Sequence, residues 1–95
     1  MVVCSAIRVT VEKNGKPLEV VVPGIRHADC RALLAALGYP MSYDEEAEGF
    51  LNKQGLFLDR YEACELAKEC GQLTETVKSY KNQLHDILLY SEDII

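Results

Sequence analysis

The chain has 95 residues, 48% of them hydrophobic, and a formal net charge of −5 at pH 7. This length predicts one small domain over residues 1–95, and the acidic balance disfavours binding to the phosphate backbone of DNA or RNA. No apolar run approaches the roughly 18 residues that a membrane-spanning helix needs, so we expect no membrane association.

The four cysteines, Cys4, Cys30, Cys64 and Cys70, are an even number in a short chain, which is typical of a disulfide framework. However, the N-terminus lacks the charged region and apolar run of a secretory signal. Cys30, Cys64 and Cys70 also lie beside Leu and Ala in predicted helices, where a free cysteine behaves as a small apolar side chain. The sequence therefore predicts reduced cysteines and a cytoplasmic protein.

The first elements predicted are two strands joined by a tight turn. Apolar and polar residues alternate over 2–11, and residues 18–22 form an apolar return strand. Asn14-Gly15 between them is the strongest short hairpin signal. The residues expected on one side of the first strand are Val3, Ile7, Val9 and Val11.

A helix is predicted from Ala28 to Leu37, because apolar residues recur there with helical spacing and Gly38 follows as a stop. Arg26 and His27 lie just before its first turn. Helix amides without partners are expected to point outward at this position, where they favour anion binding.

Residues 39–48 form an acidic link, which we interpret as a solvated loop. A metal-binding loop is the alternative, but the spacing and central Gly of an EF-hand are missing. A second, short hairpin is predicted over 50–58. It leads into a helix over 60–70 that Asp59 and Glu62 begin as a capping box, with Gly71 just beyond its end.

A third helix is predicted within 74–90, with Thr74 as its N-cap. The apolar C-terminus is expected to dock onto the core of its own chain or onto a neighbouring subunit. The sequence thus predicts an α+β fold with an N-terminal antiparallel β-hairpin, a short second hairpin, and two to three α-helices. The large hydrophobic fraction favours a homo-oligomer, which buries surplus apolar surface between subunits.

Little in the sequence points to catalysis or to a cofactor. His27 and Cys30 resemble half of a metal site, but the other cysteines lack the close spacing of a zinc knuckle. No motif indicates an activated thiolate, and Glu92-Asp93 fits a cap or a solvated turn better than acid–base chemistry. We therefore expect no enzyme activity, no catalytic residue, no metal and no cofactor.

A set of cations and aromatic residues remains as a candidate binding site. Several cations lie near helix starts: Arg26, His27, Arg31 and Arg60. Aromatic residues that could stack a base are Tyr39, Tyr43, Phe50, Phe57 and Tyr61, and Asn52 could read a base edge. The alternative from the residues alone is that Phe50 and Phe57 form hairpin core and that Arg60 makes an ordinary surface ion pair.

Four ordered motifs resemble those of small phage proteins of the Thoeris anti-defence family. The motifs are Gly24-x-Arg26-His27-x-Asp29, Gly49-Phe50-Leu51-x-x-x-Gly55-x-Phe57-Leu58-x-Arg60, Ala63-x-x-x-Ala67-x-x-x-Gly71-Gln72 and Leu89-Tyr90-Ser91-Glu92-Asp93. Proteins of that family sequester cyclic nucleotide signals made by Thoeris and CBASS immune systems. The resemblance covers most of the chain. Between Leu73 and Leu88 the sequence departs from the pattern of the family, because a predicted helix replaces the shorter link that the family leads us to expect.

The resemblance implies a sponge that holds cyclic ADP-ribose isomers or cyclic di- or trinucleotides, without degrading them, in the cytoplasm of the infected bacterial host. It also implies a hexamer built from dimers. The ligand-binding residues it implies are Arg26, His27, Phe50, Asn52, Arg60, Ser91 and Asp93. A small phage-type adaptor that binds another protein is the alternative function.

Overall fold

A long antiparallel hairpin begins the chain in the computed structural model, which describes residues 1–39, 47–84 and 86–94. Strand β1 (Val2–Lys13) pairs with β2 (Lys16–Gly24). Asn14 and Gly15 both have positive φ, 54° and 74°, as the mirror-image turn of a two-residue hairpin requires. The predicted first hairpin is confirmed.

The second hairpin extends the same sheet. Strand β3 (Glu48–Asn52) pairs antiparallel with both β1 and β4 (Phe57–Asp59), which gives the strand order β2-β1-β3-β4. Ser5 lies opposite Phe50 across the two central strands. The α+β fold class is confirmed.

The described residues form three α-helices: α1 (His27–Leu37) lies between β2 and β3 in the chain, and α2 (Arg60–Glu69) and α3 (Glu75–Leu84) follow β4. The predicted capping box begins α2, because the Glu62 amide donates to Asp59 at 2.8 Å and the Asp59 amide donates to Glu62 at 3.2 Å. Thr74 caps α3 through the Val77 amide at 3.2 Å. Local side-chain chemistry therefore sets where both helices begin.

Two buried clusters lie beneath α1 and α2. The first cluster, near α1, consists of Ile7, Val9, Val22, Cys30 and Leu34. The second, near α2, consists of Val2, Phe50, Ala63, Cys64, Ala67, Leu73 and Leu89. Because Leu89 is fully buried and Ile94 packs beside it, the apolar C-terminus docks onto the core of its own chain.

Two side chains differ from the predicted apolar faces. The register of β1 against β3 shifts between Val2 and Cys4, and this irregularity turns Val3 outward, where it is 57% exposed. In α1, Leu34 is buried, but Leu37 is 52% exposed. Strand 2–11 therefore does not keep one apolar side throughout, and the predicted α1 stripe contacts the sheet through only part of its length.

All four cysteines are free thiols in this structure. Burial raises the pKa of Cys30 to about 11, and burial also raises the pKa of Cys64, so both stay protonated at neutral pH. No helix in the described ranges is long and apolar enough to cross a membrane.

Candidate functional site

A two-lobed cleft lies where the starts of α1 and α2 meet the C-terminal segment (residues 86–94). The larger lobe has a volume of about 510 Å³ and the smaller about 270 Å³. Both are lined by Glu48, Arg60 and Tyr90. The larger lobe adds Arg8, Asp59, Tyr61 and Leu88, and the smaller adds Arg26, His27, Ala28, Arg31, Ser91 and Glu92.

Arg60 is the central cation of the cleft. Its guanidinium donates to Glu48 at 2.7 Å and to the Leu89 carbonyl at 2.8 Å, and it lies 4.9 Å from the centre of the Tyr90 ring. The Leu89 amide in turn donates to the Arg60 carbonyl at 2.9 Å. The Arg60 side chain is only 16% exposed, and its contacts with Leu89 join α2 to the C-terminal segment.

Arg8 enters the larger lobe from β1. Its guanidinium lies 4.5 Å from the centre of the Phe57 ring, a cation–π geometry. A side chain at Gly49 would collide with the Leu58 carbonyl and with this ring. The glycine therefore lets Phe57 lie close to the strand and support Arg8.

His27 belongs to a buried polar network and not to an open anion site. Its Nδ1 lies 2.7 Å from the Ser91 hydroxyl, which lies 2.7 Å from the Ser5 hydroxyl. Its Nε2 lies 2.8 Å from the Gly49 carbonyl, so Nε2 carries the proton and Nδ1 accepts from Ser91. This network ties α1, β1, β3 and the C-terminal segment together.

The amides at the start of α1 are also used within the chain. The Arg26 amide donates to Asp29 at 3.1 Å, and the His27 amide donates to Ser91 at 3.3 Å. The prediction that these two amides point outward is therefore wrong, because Asp29 accepts from Arg26, and Ser91, 64 residues from His27 in the sequence, accepts from His27. The groups that this site offers to an anion are therefore its guanidinium groups.

We expect acid to destabilise the fold through His27. Burial, and to a smaller extent the charges of Arg60 and Arg31, lower the pKa of His27 below 6.5. At this histidine the unfolded chain therefore binds a proton more readily than the folded chain. The contribution of His27 to stability is fully present above pH 6.5 and is lost as the pH falls through the lower pKa of the folded state. Urea midpoints measured from pH 8 to pH 5 should therefore decrease as the pH is lowered below 6.5.

His27→Gln should remove most of that fall, whereas His85→Gln, at the only other histidine in the sequence, should keep it. An unchanged pH dependence in His27→Gln would show that other groups cause the acid sensitivity.

Lys81 fixes the C-terminal segment from α3. Its side chain is 3% exposed, and its ammonium lies 2.8 Å from Asp93 and 3.5 Å from Asp86. It also donates to the Leu88 carbonyl and lies 5.3 Å from the centre of the Tyr90 ring. Burial alone would lower the pKa of Lys81, but the hydrogen bond and charge of Asp93, with the charge of Asp86, raise it. Lys81 is therefore charged and holds the segment that carries Tyr90.

The structure brings together only some of the predicted site residues. Arg26, His27, Arg60 and Ser91 line the smaller lobe. Three others serve the fold: Phe50 is fully buried, Asn52 accepts from the Gln54 and Leu56 amides of the second hairpin turn, and Asp93 binds Lys81. Outside the described residues lie Tyr43, His85 and acidic residues 44–46. Among the described residues, no group of three or more potential metal ligands occurs.

The sequence interpretation missed Arg8 and Glu48 as site residues. In the sequence, Arg8 belongs to the alternating pattern of the first strand, and Glu48 ends the acidic link. The signal that identifies both is a charge in or beside an apolar strand. Tyr90 and Lys81 were also missed; Lys81 shares the helical face of Val77, four residues earlier.

The chain was compared with protein families, curated proteins and solved structures. A family model described as phage T4 y16D protein matches residues 1–94. No curated protein and no solved structure matches the chain. The sequence resemblance to small phage proteins is confirmed at this level, and since the match covers nearly the whole chain, this protein belongs to the phage T4 y16D protein family.

Proposed function

We propose that this phage-type protein binds and sequesters a cyclic nucleotide immune signal without degrading it. The observation that carries the proposal is the cleft, in which guanidinium groups and tyrosine rings line two adjoining lobes. Guanidinium groups bind phosphate through paired, charge-assisted hydrogen bonds, and aromatic rings stack on bases. These are the two kinds of contact that a nucleotide requires.

The two lobes differ in a way that suits the parts of a nucleotide. The smaller lobe contains Arg26, Arg31 and Arg60 and has room for a phosphate group. The larger lobe contains Tyr61, which is 49% exposed, and it has room for a nucleoside. The ligands proposed are cyclic ADP-ribose isomers and cyclic di- or trinucleotides, in the cytoplasm of the infected host.

Binding without cleavage is supported by the state of Ser91, the hydroxyl in the smaller lobe that lies beside a histidine. Ser91 is 6% exposed, and its oxygen is held by His27 and Ser5. A nucleophile must reach its substrate with a lone pair directed at it. Here the hydroxyl instead joins structural elements, which favours binding over turnover.

A homo-oligomer, with the dimer-based hexamer as its specific form, is part of the proposal. The second half of α1, Ala32–Leu37, has only apolar side chains, and only Leu34 among them is buried. A helix that is apolar on all sides is normally covered. Contact between subunits would cover it.

Calorimetry with cyclic ADP-ribose, cyclic di-AMP and cyclic tri-AMP tests the proposal, followed by heating the complex and mass spectrometry of the released molecule. Intact ligand is expected. Folded, ligand-free protein that binds none of these would refute sequestration, and recovery of cleaved ligand would indicate an enzyme.

Arg26→Ala is expected to weaken binding of such a ligand by roughly tenfold to a hundredfold, because one charge-assisted contact is lost. Arg26 is exposed, so stability should change by less than about 0.5 kcal/mol. Lys13→Ala is the control. It removes an equal charge, but Lys13 lies roughly 17 Å further along β1 than Arg8, the residue of this strand that lines the cleft. If wild type and Arg26→Ala bind the ligand with equal affinity, the phosphate does not contact Arg26.

The exposed apolar half of α1 also favours the second candidate, a protein-binding adaptor. A pull-down with the wild-type chain would support this function if it returned one stoichiometric protein partner and no bound nucleotide. The Leu37→Ser variant should then lose that partner.

A further inference from the structure

One carboxylate lies among the guanidinium groups of the cleft. Glu48 Oε1 lies 3.0 Å from Arg31 Nη1, and Glu48 Oε2 lies 2.7 Å from Arg60 Nη2. Its side chain is 20% exposed and lines both lobes. Glu48 begins β3 opposite Ile7 of β1, so the sheet fixes where this carboxylate lies. Glu48 is therefore an internal counter-ion for both Arg31 and Arg60.

This arrangement disfavours a bare anion. Phosphate or pyrophosphate that approaches Arg31 and Arg60 meets two cations already paired with Glu48, and it is repelled by that carboxylate at close range. An ionised carboxylate only accepts hydrogen bonds, so it offers nothing to a ligand oxygen without a hydrogen. The net attraction for a simple anion is therefore reduced.

A ligand with a hydroxyl next to its phosphate meets the opposite situation. The hydroxyl can donate to Glu48, while the phosphate is shared among the guanidinium groups of the smaller lobe. We infer that Glu48 determines the ligand class of this cleft: it weakens the binding of bare phosphates and favours nucleotides that keep a free ribose hydroxyl beside the phosphate. This inference rests on the proposed function, since it concerns the same cleft.

The neighbouring carboxylates are less suited to this role. Asp59 lines the larger lobe, but it accepts from the Glu62 amide at 2.8 Å and caps α2. Glu92 lines only the smaller lobe and is exposed. Glu48 alone among the described carboxylates lines both lobes.

Pyrophosphate binding to the full chain tests the inference without any nucleotide. Glu48→Gln keeps the shape of the side chain and removes its charge, so it should bind pyrophosphate roughly tenfold more tightly than wild type. Glu69→Gln is the matched control, because it removes an equal charge at the far end of α2, and it should match wild type. If Glu48→Gln binds pyrophosphate no more tightly than wild type, the inference is overturned.

Cyclic di-AMP and its 2′-deoxy analogue provide the second comparison. Wild type should prefer the ribose form by roughly tenfold, and Glu48→Gln should bind the two forms almost equally. Equal binding of both forms by wild type would overturn the inference and leave sequestration standing. If wild type binds neither form, sequestration fails for this ligand, while the pyrophosphate comparison still decides the role of Glu48.

Discussion

Replacing Lys81 by Met is expected to lower the free energy of unfolding by about 3 kcal/mol, because it leaves the carboxylate of Asp93 in a site built around a cation. The ammonium also holds Asp86 and the Leu88 carbonyl. Both carboxylates keep some contact with water, at 22% exposure for Asp86 and 14% for Asp93. We therefore place the loss at the lower end of the range for a broken buried pair.

Urea unfolding of the full chain measures this loss, with Lys78→Met as the control on the same helix. The Lys78 ammonium lies 3.4 Å from Glu75, whose side chain is 93% exposed, so its removal should cost less than about 0.5 kcal/mol. Adding Asp93→Asn to Lys81→Met should recover part of the loss, because the unpaired charge disappears. Equal stability of wild type and Lys81→Met would mean that the cation does not hold the C-terminal segment.

The elements that the sequence predicts well are those set by neighbours in the chain. Asn14-Gly15 fixes the first hairpin turn, Asp59 and Glu62 begin α2, and Thr74 begins α3. Each signal acts within about four residues, and its geometry does not depend on the rest of the fold. Sequence reasoning therefore reached the fold class and most element boundaries. The end of the third helix was wrong, because the apolar spacing continues to Leu88 whereas α3 ends at Leu84.

The features that sequence reasoning missed depend on distant partners. His27 at a helix start favours an exposed anion site when considered locally, but the hydroxyl that fills this position belongs to Ser91. Val3 continues an alternating pattern, and only the register of β1 against β3 turns it outward. Neither fact can be obtained from spacing in one segment.

In the candidate site, too, local signals were sufficient for some residues, and distant contacts decide the role of others. Arg26, Arg31 and Arg60 were grouped because all lie near helix starts, and the fold does bring them into one lobe. Glu48 was missed because acidic runs usually face water. Its role depends on β3 placing it between α1 and α2, which is a property of the sheet.

Phe50→Ala is expected to lower the free energy of unfolding by about 3–5 kcal/mol. The Phe50 side chain is fully buried in the second core cluster. Its ring meets the His27 ring edge to face, with 5.1 Å between centroids and an interplanar angle of 81°. Truncation therefore leaves a cavity between the core and the polar network of Ser5, His27 and Ser91.

Tyr61→Ala is the matched control, because this ring is 49% exposed and lines the larger lobe. If Tyr61 stacks on the ligand, its loss should reduce affinity and change stability by less than about 0.5 kcal/mol. Phe50→Leu, which keeps most of the apolar volume, should retain ligand affinity and most of the stability. Full stability of Phe50→Ala combined with lost binding would reverse these assignments, since it would place the Phe50 ring against the ligand.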